Sequence, residues 1–574
     1  MTTPWFQGAK PHRSIQEGKV NEALFEAKLG EAIHDRGPEE YRDATRFFEK
    51  TYLTAGLRQL LLDILRTVNG ERAANAIVNL KTSFGGGKTH TELAIYHLFK
   101  HPADALKVQR VQALVAEAGL DAPPACQVAV LPCTRITPTG RVTAEGLHIR
   151  TLWGEMAYRL GGPAAFKLVA ATDAAGLAPG EAVLETVLQQ VGPSVILFDE
   201  TLHYVAKVSE IAGAEGDLAK QTVAFLRELT AVVDALPRNM LIVSLTASKA
   251  DQIGEHAQDW LERMEHHINR LARACTPIEG TEIHEVVRRR LFDEVRDESA
   301  TQVADRYHQL YANMGGLPAQ YADAAYRDLI RRSYPFHPEL ITVIYERWGA
   351  KPSFQLTRGT LRFLALVLQD LWSRRAEVAP DLIQMGDVSV RESTLRASIR
   401  DIIGDPQWEA VLGSDIAAAR ASDQKAKAEI IDEERDDSLG LAQSLATTIL
   451  LYSVGGGEDP KATRQEMRLS CARPGIEDAT WDNLLRQFQQ RFFYLYYEDA
   501  RYKFRKEPNV TSLQHTYRVN LSDSGEVEAR IDKMLLEEAL GVSSPSHGFQ
   551  YIHYLPKKPL EKDDENLNCL FARI

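Results

Sequence analysis

A lysine and a threonine follow a run of glycines at the end of a short apolar segment. Residues 76–91 read AIVNLKTSFGGGKTHT, and residues 91–99 continue with the apolar spacing of a helix. Strand, glycine loop and helix form the context of a phosphate-binding loop, or Walker A motif, because glycine lets backbone N–H groups curl around phosphate oxygens. Lys88 would then reach the β- and γ-phosphates of ATP, and the Thr89 hydroxyl would hold Mg²⁺. The residues expected to bind the nucleotide here are Gly85, Gly86, Gly87, Lys88, Thr89 and His90.

This loop departs from the strict pattern G-x-x-x-x-G-K-[ST], because Thr82 stands where the first glycine is expected. A Gly-Lys-Thr tripeptide by itself is equally consistent with an ordinary turn between a strand and a helix. The apolar run before it, the extra glycines and the helical segment after it favour the phosphate-binding interpretation.

Two adjacent carboxylates end a second apolar run, PSVILFDE at residues 193–200. A buried strand ending in acids places them at the sheet edge where ligands bind in open α/β folds. Asp199 would support Mg²⁺, as in a Walker B motif, and Glu200 would polarise the water that attacks the γ-phosphate. Two solvated acids after a strand are a common alternative, but the phosphate-binding loop upstream makes that coincidence less convincing.

Two further apolar runs predict strands at residues 128–132 and 240–245. The first lies between the two motifs, and glutamate adjoins the aspartate; this is the arrangement of additional-strand P-loop ATPases, to which AAA+ proteins belong. The second run closes in Thr246 and Ser248, either of which would be a sensor that hydrogen-bonds the γ-phosphate or the attacking water. A simple helix N-cap is the alternative for this polar tip.

Arginines occupy positions similar to those that AAA+ proteins use. The spacing predicts a basic-tipped helix over residues 260–273, whose Arg270 or Arg273 would reach the γ-phosphate of a neighbouring subunit in a homo-oligomer. Solvated arginines near a helix end are an equally good interpretation. Farther on, Gly359-x-x-Arg362 opens an apolar helix and looks like the lid sensor of AAA+ proteins, with Arg358 as second choice.

Six stretches resemble a prokaryotic family catalogued as domain of unknown function four-nine-nine. They are EEYRDATRFFEKTYLT (39–54), FGGGKTH (84–90), RTLWGEMAYRLGG (150–162), ILFDE (196–200), YPFHPEL (334–340) and FQLTRGTLRFLA (354–365). The resemblance implies a large AAA+-type ATPase, similar to that of BREX phage-exclusion systems. It also implies partners from a phage-defence complex, such as a methyltransferase, a helicase or a nuclease.

Composition limits the classes of function. The chain has 574 residues and a formal net charge of −12, which argues against bulk electrostatic coating of nucleic acid but leaves room for a local basic face. Clusters such as Arg288-Arg289-Arg290 are most often solvated helix faces. No apolar run reaches 18 residues and the N-terminus lacks a signal core, so we expect a cytoplasmic protein without a membrane anchor.

The predicted organisation is an N-terminal helical segment (1–70), an α/β P-loop core of the additional-strand, AAA+-like type (71–280), a helical lid (281–375) and a helical connection (376–440). Helices over 441–454, 462–471 and 479–493 and a hairpin around residues 498–500 predict a winged helix within 441–510. Residues 511–574 would hold a helix (525–541) and two strands that begin an α/β unit, which we expect to be truncated. The basic residues that would touch duplex DNA are Arg464, Arg468, Arg501, Lys503 and Arg505.

The sequence thus predicts an AAA+-like ATPase that uses ATP and Mg²⁺ in a DNA-associated defence or restriction-type complex. One alternative is a nucleotide-gated scaffold with negligible hydrolysis, whose winged helix docks proteins rather than DNA. Another is a replication-initiator-like DNA-binding ATPase, because a core, a lid and a winged helix in that order describe such proteins too.

Overall fold

The structure, a computed structural model, shows helices alternating with parallel strands, which confirms the predicted α/β class. It describes residues 3–20, 23, 25–71, 76–81, 87–210, 217–245, 256–278, 280–419, 424–437, 439–455 and 460–510, and the backbones of strands at 551–554 and 569–572. Five predicted features lie outside these residues: Gly85, Gly86, Thr246, Ser248 and the helix 525–541.

The N-terminal segment contains short helices and, contrary to the purely helical prediction, one strand. The elements are α1 (Trp5–Gly8), β1 (Ala9–Pro11), α2 (Arg13–Gln16), α3 (Leu29–Ala32), α4 (Glu39–Arg42), α5 (Ala44–Lys50) and α6 (Ala55–Asn69). The longest helix, α6, begins where the Thr54 hydroxyl accepts the N–H of Leu57 and ends at Gly70, whose φ of 106° suits glycine. Its apolar face covers the central sheet.

The central region is a five-stranded parallel sheet in the order β3-β6-β7-β2-β8. Its elements are β2 (Ile77–Leu80), α7 (Lys88–Lys100), α8 (Pro102–Ala105), α9 (Gln109–Glu117), β3 (Gln127–Pro132), β4 (Arg141–Val142), β5 (His148–Ile149), α10 (Leu152–Ala175), α11 (Glu181–Val191), β6 (Ser194–Asp199), α12 (Thr201–Ser209), α13 (Leu218–Ala235), β7 (Asn239–Ser244), α14 (Ala257–Ile268) and β8 (Arg273–Cys275).

Helices cover both faces of this sheet, as an all-parallel sheet requires. Along β6, Ile196 and Phe198 join the core formed with α10, α12 and α13, whereas Val195 and Leu197 join the core formed with α6, α7 and α9. Because all five strands run the same way, their carboxyl ends meet at one edge. The segments that follow β2, β3, β6 and β7 all start there.

A helical region follows the sheet and carries the N-terminus of the chain. Its elements are α15 (Glu282–Leu291), β9 (Phe292–Val295), α16 (Asp297–Asn313), α17 (Ala324–Ser333), α18 (Pro338–Thr342) and α19 (Leu356–Ser373). β1 pairs antiparallel with β9, and Trp5 and Ile15 are buried in the same hydrophobic core as Leu291. We call this helical region, residues 281–375, the lid.

The remaining described elements continue the same hydrophobic core, which contains Leu364, Ile399 and Trp481. They are α20 (Ser393–Ile403), α21 (Trp408–Val411), α22 (Lys427–Glu434), α23 (Leu441–Ser453), β10 (Ala462–Thr463), α24 (Arg464–Cys471), α25 (Asp478–Arg491), β11 (Leu495–Glu498) and β12 (Arg501–Phe504). Antiparallel strands β10, β12 and β11 form a small sheet in that order. β13 (Tyr551–Tyr554) and β14 (Cys569–Ala572) form a separate parallel pair.

The predicted helix over residues 260–273 is wrong at its C-terminal end. α14 stops at Ile268, and Arg273 instead begins β8, the edge strand in which Arg273 lies opposite Val78 and Cys275 opposite Leu80. A three-residue strand directly after a helix has too little periodicity to be detected in the sequence. Within the described residues, none of the helices combines the length and apolar character that crossing a membrane requires.

Candidate functional site

A cavity of about 360 Å³ opens at the carboxyl edge of the sheet, bounded by the central region, the N-terminal segment and the lid. Gly87, Lys88 and Thr89 line it after β2, and Asp199 and Glu200 line it after β6. The sheet therefore brings together the glycine-lysine-threonine motif and the acidic pair, about 110 residues apart in the sequence. Carboxyl edges of open parallel sheets are where such folds bind ligands.

The N-terminus of α7 presents backbone donors to this cavity. Gly87 precedes the helix with φ 92°, a conformation that glycine adopts at little cost, and as N-cap residue it has no side chain to bind the N–H groups of the first turn. Such N–H groups and the helix dipole together suit an anion. Lys88 is only 8% exposed. Burial lowers its pKa, and this effect outweighs the negative charges of Glu92, Asp199 and Glu200, which raise it.

Ser244, which the sequence analysis did not select, positions the acidic pair. Its Oγ donates to Oδ1 of Asp199 at 2.9 Å and accepts the backbone N–H of Glu200, also at 2.9 Å. β7, which ends in Ser244, lies next to β6 in the sheet, so the hydroxyl reaches both residues. The signal available in the sequence was a serine inside the apolar run MLIVSL. The sensor expected at Thr246 or Ser248 lies outside the described residues.

Glu200 has a left-handed backbone, with φ 52° and ψ 48°, and it is the N-cap residue of α12. This conformation is unfavourable for a residue with a Cβ by about 1–2 kcal/mol, and such residues concentrate at functional sites. The turn lets the chain leave β6 and enter α12 while the Glu200 side chain lines the cavity.

A second buried carboxyl, Glu92, lies behind the site. It stands one helical turn after Lys88 on α7, is fully buried, and its two oxygens have no hydrogen-bond partner of ordinary geometry among the described residues. Burial and the neighbouring charge of Asp199 hold the pKa of Glu92 well above its usual range. Burial and Glu200 likewise raise the pKa of Asp199 to about 6, despite the Ser244 hydrogen bond. Both carboxyls therefore hold a proton more tightly than ordinary acids, and a cation bound beside them would favour their ionised forms.

Arginines from the lid reach the cavity, and their identity differs in part from the prediction. Arg358 lines it, in an ion pair with Glu26 of the N-terminal segment at 3.2 Å. Arg362, the first choice from the sequence, stands one turn farther along α19 and is not among the lining residues. Arg290 of α15 belongs to the arginine cluster that the sequence analysis read as a solvated helix face, but it lines the cavity and packs over the ring of Tyr41, 5.2 Å from its centroid.

Two family models match consecutive parts of the chain. The DUF499 N-terminal domain matches residues 12–283, and the DUF499 second domain matches residues 279–465. The chain belongs to the DUF499 family. No curated protein and no solved structure matches it significantly. The first DUF499 domain ends where the sheet gives way to α15, so the cavity lies where the two domains meet.

The other predicted site residues of this DUF499 chain have different surroundings. Arg270 is exposed after α14, and Arg273 forms an ion pair with Asp63 of α6 at 2.7 Å. Neither lines the cavity of its own chain. His90 does line it, but its Nε2 lies 2.9 Å from the hydroxyl of Thr51, and burial lowers the pKa of His90 to about 3. A neutral, packed imidazole adds no positive charge to the site.

The DUF499 cavity offers donors suited to a magnesium nucleotide. Six cationic side chains line it against four acidic ones: Lys28, Lys50, Lys88, Arg135, Arg290 and Arg358 against Glu26, Glu31, Asp199 and Glu200. In the described part of the chain no group of three or more His, Cys, Asp or Glu side chains could hold a metal alone. Mg²⁺ commonly takes only one or two protein ligands and completes its shell with phosphates and water, so Thr89 and Asp199 fit it.

Proposed function

We propose that this DUF499 protein binds ATP with Mg²⁺ and hydrolyses it, as an AAA+-like P-loop ATPase. The observation that carries the proposal is the meeting, in one cavity, of the Lys88 helix N-terminus and the Asp199–Glu200 pair held by Ser244. A buried lysine at a helix N-terminus suits phosphates, and two adjacent carboxyls at the end of β6 suit the cation that accompanies them.

The same cavity has room for the rest of a nucleotide. Part of its wall away from α7 is apolar, and this part comes from the N-terminal segment, from the segment before α15 and from the lid. Such walls suit a purine base, which is planar and mostly apolar on its faces. The residues that form them are Phe25, Tyr52, Leu57, Pro277, Ile278, Val286 and Leu361.

Each polar residue has a separate task in this proposal. Lys88 binds the β- and γ-phosphates, and Arg358 and Arg290 bind phosphate oxygens from the lid side. Mg²⁺, when bound by Thr89 and Asp199, would neutralise charge on the phosphates. Glu200 accepts the proton of the attacking water, and its left-handed backbone fixes where that carboxylate lies. Ser244 keeps both acids in place.

Strand order supports the AAA+-like assignment. β7 lies between β2 and β6, so its polar end adjoins both the phosphate loop and the acidic pair. Arg270, exposed at the surface, is the better candidate for a cation supplied to a neighbouring subunit, since Arg273 is engaged with Asp63. The setting in a phage-defence complex rests on the family resemblance alone.

Steady-state hydrolysis and nucleotide binding by purified protein test the proposal. Wild type is expected to hydrolyse ATP, Lys88→Ala to lose nucleotide binding, and Glu200→Gln to bind a fluorescent ATP analogue without turnover. Glu185→Gln, on the exposed face of α11, is the matched control and should behave as wild type. Equal nucleotide affinity in wild type and Lys88→Ala would contradict the proposal that Lys88 binds the phosphates of ATP.

A specific observation favours a second function for residues 441–510, namely docking of proteins. The three helices and the small sheet have the order of a winged helix, but four of the five basic residues expected to touch DNA, all except the exposed Arg501, form ion pairs within the chain. Arg464 pairs with Asp482, Arg468 with Asp478, and both Lys503 and Arg505 with Glu498. These pairs favour the scaffold alternative for this region over contact with duplex DNA.

A further inference from the structure

A second cavity, of about 520 Å³, lies beyond the end of β3, between the β4–β5 hairpin and the start of α10. Unlike the nucleotide cavity, it is lined mainly by positively charged side chains. The arginines that line it are Arg135, Arg141, Arg150 and Arg159.

A single carboxylate, Glu155, opposes these four arginines among the lining residues. Glu155 is buried, and it binds Arg141 at 2.8 Å and Arg159 at 2.6 Å. Two of the four guanidinium groups thus share one negative charge, and positive side chains outnumber negative ones among the lining residues. An anionic ligand is therefore favoured in this cavity.

The other two arginines keep their charge accessible. Arg150 is exposed, and in the described part of the chain its side chain has no ion pair or hydrogen bond, although its backbone N–H is fixed by Asp173. Arg135 donates to the backbone oxygen of Gly30 and lies 3.8 Å from the carboxylate of Glu31, so both groups share its guanidinium. Arg150, an exposed guanidinium on a backbone held by hydrogen bonds, is therefore the arginine best suited to recognising phosphate.

We propose that this cavity binds the phosphodiester backbone of a single nucleic-acid strand. Guanidinium forks match phosphate oxygens, and the Tyr158 ring, with Arg141 5.1 Å from its centroid, offers a flat face for a base. Ile136 and Ile149 supply apolar wall, and Val142 is 65% exposed on the hairpin beside it. Guanidinium groups combined with aromatic and apolar surface suit a single nucleic-acid strand, whose bases are free to stack, better than an acidic peptide or a duplex.

The position of the cavity connects it to the nucleotide site. Pro132 and Arg135 line both cavities, and Lys207 of α12 donates to the backbone oxygen of Thr134 at 3.0 Å. The turn after β3 therefore contacts both a bound strand and the helix that begins after Glu200. This coupling rests on the proposed ATPase function, whereas strand binding does not depend on it.

Fluorescence polarisation of a labelled oligothymidylate, without ATP, tests the site. Arg150→Glu is expected to weaken binding by about tenfold or more at low salt, and to reduce the slope of log affinity against log salt by about 0.7, the value for one phosphate contact on a single strand. Arg150→Lys, which keeps the charge, should stay within about threefold of wild type. Arg486→Glu, on the exposed face of α25, is the matched control and should bind as wild type.

Several outcomes would overturn the proposal. A loss of binding in Arg486→Glu but not in Arg150→Glu would place the nucleic acid on the 441–510 region. Equal competition by polyglutamate of matched charge would identify an acidic polypeptide as the ligand, and tighter binding of a duplex would exclude a single-strand site. Because Lys88→Ala should bind the oligonucleotide normally, failure of the ATPase proposal and failure of this one are distinguishable.

Discussion

Replacing Asp199 by asparagine should stabilise the nucleotide-free protein. Burial and the charge of Glu200 raise the pKa of Asp199 from 3.8 to about 6. The folded state therefore holds this proton more tightly than the unfolded chain, and stability falls as the pH rises through that range. At about 1.4 kcal/mol per pKa unit the penalty above that range is at most about 3 kcal/mol, and partial exposure of the carboxyl to water reduces it to about 1–3 kcal/mol.

Asparagine removes the charge but keeps the contacts. Its carbonyl oxygen can accept from Ser244, and its amide can donate to Glu92, whose oxygens otherwise have no partner among the described residues. We therefore expect the unfolding midpoint of the central region to rise in the variant at about pH 7.5, by about 2–4 °C for each kcal/mol gained. The same substitution should abolish stabilisation by Mg²⁺ and ATP, because it removes a ligand.

Scanning calorimetry in EDTA at two pH values would measure this. The gain should shrink to about half near pH 5, where the carboxyl of the wild type is already largely protonated in the folded state. Asp121→Asn, an exposed aspartate on the same region, serves as the control and should show no gain at either pH. A variant less stable than wild type at pH 7.5, or a gain that does not change with pH, would refute the reasoning.

Three further predictions concern single contacts. Ser244→Ala should lower kcat about tenfold or more in a coupled ATPase assay with little change in nucleotide affinity, because it releases both acids from their shared hydroxyl. Arg358→Ala should weaken binding of a fluorescent ATP analogue by about tenfold, whereas Arg362→Ala should not. Equal losses in the two variants would contradict the preference for Arg358 over Arg362. Asp415→Ala leaves two backbone N–H groups before β11 without their acceptor, so urea denaturation should show a loss of about 2–3 kcal/mol.

Much of the central fold follows from periodicity in the sequence. Buried parallel strands are continuous apolar runs, so β2, β3, β6 and β7 were predicted close to their observed positions. β1, β8, β9 and β10 were missed because each has only two to four residues and gains its hydrogen bonds from distant partners, as β1 does from β9. Pairing of that kind is a tertiary property that no local pattern contains.

Some residues of the candidate site were predicted from the sequence, and others were identified only in the structure. Lys88, Thr89, Asp199 and Glu200 were found because phosphate and Mg²⁺ chemistry demands those residue types at strand ends. Ser244, Glu92, Arg290 and the preference for Arg358 over Arg362 depend on which strands are neighbours and how the lid is placed. A serine at a strand end and a glutamate in a helix are too common to select without coordinates.

The N-terminal segment joins the lid to the sheet a second time. β1 belongs to the lid through its pairing with β9, while Leu29 and Phe47 are buried against the sheet, so the chain passes between the two bodies both before α3 and again between β8 and α15. Two covalent connections near the same cavity would restrict the lid to rotation about the line that joins them. A nucleotide bound between the lid and the sheet would then change the angle between them, and a protein bound to the lid would be displaced in one defined direction.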